Sequence, residues 1–169
     1  MAAMARMWLL GAGMALLGGC ANQSTETTAE RFDCEALNRA VANAGTGFAD
    51  LKGRLETTPL TRTWKTDTQA FHDACVITAS RRPDHYLCFG RLVSADPRGA
   101  LMAGGEELAQ CLGEGWRSAR TAPDRLEFTR QDSEPVVVLE SFLNDRGQRM
   151  GTLGVFRNAG DAAPLSDDG

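Results

Sequence analysis

"ACVITASRRPDHYLCFG", residues 74–90, decides the fold. Residues 74–79 and 85–90 are rich in β-branched, aromatic and other apolar residues, and "SRRPD" between them reads as a turn. If the two runs pair as an antiparallel hairpin, residues whose numbers sum to 163 face each other. Cys75 then lies opposite Cys88, and Ile77 opposite Tyr86. Directly opposed positions in a non-hydrogen-bonded pair lie within disulfide reach. The stretch thus predicts two adjacent strands and a cross-strand disulfide.

Toward the C-terminus, "SADPRGALMAGGEELAQCLGEG" (94–115) opens with an N-cap and N1 signal, Asp96-Pro97, and stops at Gly113. Leu101, Leu108, Cys111 and Leu112 share one face of the helix. Gly104-Gly105 weakens it, by about 1 kcal/mol per glycine, which close packing on a sheet would explain. Four strands follow: around Trp116, over "RLEFTR" with Leu126 and Phe128 on one face, over "PVVVLESFL" and over "QRMGTLGVF". The Val run reads as a central strand buried on both faces at its start. "NDRG" is the turn of the last hairpin, with Gly147 available for positive φ.

Toward the N-terminus, residues 61–66 form a Thr-rich strand around Trp64. Cys34, Leu37, Val41, Ala44, Phe48 and Leu51 recur at spacings of three and four, one face of a helix. Asp33 is its N-cap. Gly45 and Gly47 predict a break, giving a helix near 33–44 and a short turn at 48–52, with Gly53 as a terminal glycine. The expected fold is α+β, with two helices packed on one face of a largely antiparallel sheet in the order α-βββ-α-ββββ. The two halves hint at a repeated unit of helix then meander.

At 169 residues, with 43% hydrophobic and 24% charged residues, the chain is one domain with tails. The net charge of −4 argues against nucleic acid as a partner. At the start, a short n-region carrying Arg6 precedes a short apolar run, Trp8 to Leu17, too short to span a bilayer. The run ends Leu17-Gly18-Gly19-Cys20.

This tetrapeptide resembles the lipobox of bacterial lipoproteins: an aliphatic residue, two small residues, then the cysteine that carries lipid. The resemblance covers the first twenty residues and names a processing class, with no domain family attached. It implies cleavage before Cys20, acylation of Cys20 and a membrane partner through the N-terminal lipid. Ala21 and Asn22 follow, where an Asp after the Cys would favour the inner membrane in proteobacterial lipoproteins, so the resemblance implies the periplasmic face of the outer membrane of a Gram-negative cell. Residues 1–19 are then a signal peptide, 20–31 a flexible tether, 32–157 a single periplasmic domain and 158–169 a disordered tail. Loss of Arg6 leaves 17 basic and 22 acidic residues, a net −5.

With Cys20 assigned to lipid, Cys34, Cys75, Cys88 and Cys111 remain. An even number in an exported chain predicts two disulfides. Of three connectivities, Cys75–Cys88 with Cys34–Cys111 is preferred, the second tying helix to helix. A metal site using His72 and His85 beside Cys75 and Cys88 is disfavoured, because the cysteines lack close CxxC spacing.

No nucleophile with its base, Gly-rich phosphate loop, HExxH or calcium loop stands out. His72 and His85 read as solvated loop residues, although a cluster of His72, Asp73, Asp84 and His85 would form if their loops met. Glu106-Glu107 and Glu127/Glu140 are the carboxylate pairs available for glycoside cleavage, and neither reads as a catalytic pair. No catalytic residue, metal or cofactor is expected. Candidate binding residues are Trp64, Arg81, Arg82, His85 and Trp116, with Arg91 and Arg98 extending a basic edge. The leading expectation is a small outer-membrane lipoprotein whose domain binds a protein of the cell envelope as an accessory. The alternatives are an immunity or inhibitor protein that blocks an envelope-acting enzyme, and a minor cell-wall enzyme.

Overall fold

The computed structural model describes residues 31–72, 74–80, 82–93, 99–130 and 134–162. Asp96, Pro97 and the segment through Cys20 lie outside them. Helix α1 spans Cys34–Asn43, and Asp33 caps it by accepting the Ala36 amide at 2.9 Å. Single 3-10 turns follow at Ala44–Thr46 and Ala49–Leu51. The break falls where glycine predicts it: Gly47 has φ 64°, a conformation that costs glycine least. The strands are β1 (Leu55–Thr57), β2 (Arg62–Lys65), β3 (Ala74–Ala79) and β4 (His85–Arg91). After helix α2 (Ala100–Leu112) come β5 (Arg117–Ala122), β6 (Arg125–Thr129), β7 (Val136–Leu143) and β8 (Arg149–Phe156), then a short helix α3 (Ala159–Ala162).

All neighbours pair antiparallel in one eight-stranded sheet, β1-β2-β3-β4-β8-β7-β6-β5. Each half is one helix followed by a four-stranded meander, and the order is symmetric about the β4–β8 seam. The β3–β4 register sets Cys75 against Cys88 and Ile77 against Tyr86, as the opening stretch predicts. Both disulfides have the preferred connectivity, Cys34–Cys111 and Cys75–Cys88.

The fold class is α+β, but the order differs from the expected one in two places. An eighth strand, β1, precedes the Trp64 strand. It is three residues long, exposed throughout, and joined to β2 by a turn in which Thr58 and Thr61 bond to each other. Such a strand shows no alternation of burial for a sequence pattern to register. The start of the expected tail is folded as well, since 159–162 form α3; residues 163–169 lie outside the described chain. Arg31, placed at the end of the tether, is also held. Its guanidinium binds Glu107 at 2.7 Å and donates to the Val93 carbonyl at 2.9 Å. Gly53 directly follows Lys52, the cap of the second 3-10 turn, but without a positive φ, and its amide donates to the Lys65 carbonyl alongside β2.

Period-two alternation sorts the strand residues into two faces. One face packs under α1 and α2, where Ile77, Tyr86, Cys88, Val137, Leu139, Leu153 and Val155 are fully buried with Leu37, Ala40 and Leu108 of the helices. The glycines of α2 allow this contact, since a Cβ on Gly104 would lie 3.2 Å from Leu92 and 3.4 Å from Leu139. Gly90 and Gly151 face each other across β4 and β8, and the Phe71 ring lies on both. Phe32 stacks on Phe71 at 4.9 Å. Among the described residues the other face has no helix over it except α3, whose Ala162 packs with Val136, Val138 and Phe156.

Candidate functional site: a cleft on the open face of the sheet

Alternation in "RLEFTR" sends Leu126 and Phe128 into the core and Arg125 and Glu127 to the open face. Register then sets Glu140 of β7 directly opposite Arg125. The Arg125 side chain is only 8% exposed. Its Nε donates to Glu127 at 2.8 Å, one terminal nitrogen to Glu140 and the other to the Ala162 carbonyl. The guanidinium's planar fork suits this three-way role. Arg82 reaches the same short helix and donates to the Asp161 carbonyl at 3.0 Å. Arg125 of β6 and Arg82 of the β3–β4 turn thus hold α3 on the sheet.

Beside them lies a cleft of about 360 Å³. Its floor is Leu87, Val138 and Gly154, a row across three neighbouring strands, and its rim carries Arg82, His85, Arg125, Glu140 and Thr152. His85 is the buried first residue of β4, which corrects its reading as a solvated loop residue. The chain turns just before it, so position in sequence suggests a loop. But the β4–β8 register brings Phe156 beside it, and the rings stack 5.2 Å apart. Nδ1 lies 3.0 Å from the Pro83 carbonyl. Burial lowers the His85 pKa below its ordinary 6.5, and Arg82 pushes the same way. The Pro83 contact, Asp84 and Asp161 act in the other direction.

The remaining sequence candidates are dispersed. Trp64 projects toward the helix side, half-buried, with Lys52 4.4 Å and Arg62 5.4 Å from its ring centre. Trp116 is also half-buried against the core, under Arg130 at 5.0 Å. Both pack against the core, each beneath a cation. His72 and His85 sit at opposite ends of the β3–β4 hairpin, so the two histidines of the expected cluster do not meet; Asp73 lies outside the described residues. Asp84 instead pairs with Lys52. The sulfur atoms of Cys75 and Cys88 are bonded to each other. Arg81 and Cys20 lie outside the described residues.

Below the cleft, the open face is apolar. Val76, Leu87 and Phe89 of β3 and β4 continue through Met150 to Phe142. Phe89 and Phe142 are exposed, and the others half-buried. Among the described residues no helix is long and apolar enough to cross a membrane. Compared with known proteins, the chain matches no family model, no curated protein and no solved structure. The reading of the site therefore rests on its own chemistry.

Proposed function

We propose that this chain is a small outer-membrane lipoprotein, acylated at Cys20, whose periplasmic domain works by binding a protein of the cell envelope through the open face of its sheet. The observation that carries the binding part is the unequal treatment of the two faces. One is sealed by two helices and stapled by two disulfides. The other presents an apolar strip beside a cleft rimmed by arginine, histidine and carboxylate. An apolar centre with a polar margin is the common anatomy of a protein-binding surface. The polar groups support positioning more than chemistry, since Glu127 and Glu140 both spend a carboxylate oxygen on Arg125.

The anchor rests on the sequence around Cys20. Each buried CH₂ of a lipid chain contributes about 0.8 kcal/mol, so several chains hold a protein at the membrane without a transmembrane segment. Palmitate labelling of the wild-type chain, lost in Cys20→Ser, is the expected result; labelling that survives would sink the assignment. For the open face, a photo-crosslinker at Phe89 or Leu87 should trap one envelope protein in cells, and the same probe at exposed Met102 of α2 should not. Equal, diffuse crosslinking from both positions would argue against the face. A trapped enzyme in a 1:1 complex, with its activity blocked, would favour the inhibitor reading over the accessory one.

A further inference from the structure

At one end of the sheet, β4 finishes beside the β7–β8 turn. Three large apolar side chains are exposed there, with Phe142 on the open face and Leu143 on the helix side. Val93 is 64% exposed, Leu143 60% and Phe142 44%. Val93 directly follows the segment paired to this end, with the Leu92 amide donating to the Arg149 carbonyl at 3.2 Å. Leu143 opposes Arg149, and Phe142 opposes Met150, which opposes Arg91. Arg91, Val93, Leu143 and Arg149 line a shallow slot of about 270 Å³. Arg91 and Arg146 are exposed, with Asp145 the one acid in the turn, while Arg149 is half-buried and donates to the Ser141 hydroxyl at 3.1 Å. This end is therefore basic on a domain whose net charge is negative. The turn itself is firm: the Asn144 side-chain oxygen accepts from the amides of Arg146 and Gln148 at 3.0 and 2.9 Å.

The chain enters the domain at the same end, where the Arg31 guanidinium donates to the Val93 carbonyl. Ten residues lie between Cys20 and Arg31, eleven Cα-to-Cα steps. Even fully extended they reach at most about 40 Å. A lipid on Cys20 thus keeps this end of the sheet within a tether's length of the bilayer. Apolar side chains ringed by arginine at that distance match the interfacial zone, where apolar groups insert and cations meet anionic headgroups.

We propose that the end of the sheet formed by Arg91, Val93, Leu143 and Arg146 rests on the membrane, with an anionic phospholipid surface as its partner. The proposal rests on the Cys20 reading. It deepens that reading by giving the domain an orientation: the strands stand away from the bilayer, and α3 with the His85 end of the cleft faces the periplasm. The acidic remainder of the domain is repelled by the same anionic surface and favours the same pose.

The test uses the mature lipidated chain in two kinds of vesicle, phosphatidylethanolamine with phosphatidylglycerol, and phosphatidylcholine alone. Amide hydrogen exchange is followed at 91–93 and 144–149. Exchange there should slow several-fold on the anionic vesicles. Arg91→Glu with Arg146→Glu, both exposed and remote from the core, should abolish the difference while strand amides in β3 and β7 stay protected. Equal exchange at 91–93 and 144–149 on both vesicles overturns the proposal, even with palmitate present on Cys20. Absence of palmitate from the wild-type chain overturns the anchor reading, and the membrane pose falls with it.

Discussion

Arg125 joins three parts of the chain that the backbone leaves separate: β6, β7 and the C-terminal turn. Removing it leaves two carboxylates facing each other and the Ala162 carbonyl without its donor. A fully buried pair broken in this way costs about 3–5 kcal/mol. Glu140 is 42% exposed, which lowers that figure. Arg125→Ala should therefore destabilise by about 2 kcal/mol, read as a fall in the urea midpoint at unchanged slope, and proteases should trim residues beyond Phe156 faster. His85 gives a pH signature. Its folded pKa lies below 6.5, so as pH falls the unfolded chain takes up a proton first. Stability contributed by the neutral ring is complete above about pH 6.5, declines as pH drops toward the depressed value, and is flat below it. His85→Phe, which keeps a ring beside Phe156, should remove this share of the pH dependence in denaturant midpoints between about pH 7.5 and 5.5, one unit either side of the ordinary value. An unchanged slope would refute it. Tyr86 shows the opposite sign. Burial raises its hydroxyl to about 12, and at neutral pH it donates to the Thr68 carbonyl at 2.7 Å while accepting the Ala70 amide at 3.0 Å.

At the scale of elements, glycine marks where the layers touch. Gly90 and Gly151 form a flat patch across β4 and β8 for the Phe71 ring. A Cβ on Gly90 would come within 2.8–2.9 Å of three atoms of that ring, and Phe71 is itself pinned by Phe32. Gly90→Ala should destabilise by about 2 kcal/mol through overpacking, despite the better strand propensity of alanine. Thermal melts of Gly90→Ala should show this loss, while Gly45→Ala, in a 3-10 turn where the added Cβ meets nothing within 4 Å, should show no such loss. The β3–β4 hairpin was readable because its alternation, its turn and its two cysteines agree on one register. β1 was not, because its three residues are held by pairing with β2 and bury nothing. Nor was α3, whose carbonyls depend on arginines far away in the chain.

For the whole molecule, the Cys34–Cys111 bond ties the start of α1 to the end of α2 across a sequence separation of 77. Asn38 adds a hydrogen bond to the Cys111 carbonyl at 3.1 Å. In the chain-entropy picture a bond closing a loop this long stabilises by about 4 kcal/mol, and one closing the shorter Cys75–Cys88 loop by about 3 kcal/mol. Paired Cys34→Ala and Cys111→Ala should therefore lower the urea midpoint more than Cys75→Ala with Cys88→Ala, provided the latter cavity stays small. The reverse order would show that packing inside the sheet outweighs loop closure. Both variants keep Cys20, so palmitate labelling should continue in each and separates loss of stability from loss of the anchor.

The sequence by itself determined the local and the periodic: the α+β class, the two long helices, the disulfide pairing, the β3–β4 register and the lipobox expectation at Cys20. These follow from spacing along the chain, because periods of two and 3.6 decide which side chains share a face. Only the tertiary structure decided which face of the sheet stays open, that Arg125 is buried between two glutamates, that His85 stacks on Phe156, and that Val93 and Leu143 meet beside the entry of the chain. Each of these depends on strands and turns far apart in sequence. A charged residue on the outer face of a strand carries the same pattern whether water or a neighbouring element lies above it. What covers it is settled only when the other strands are in place.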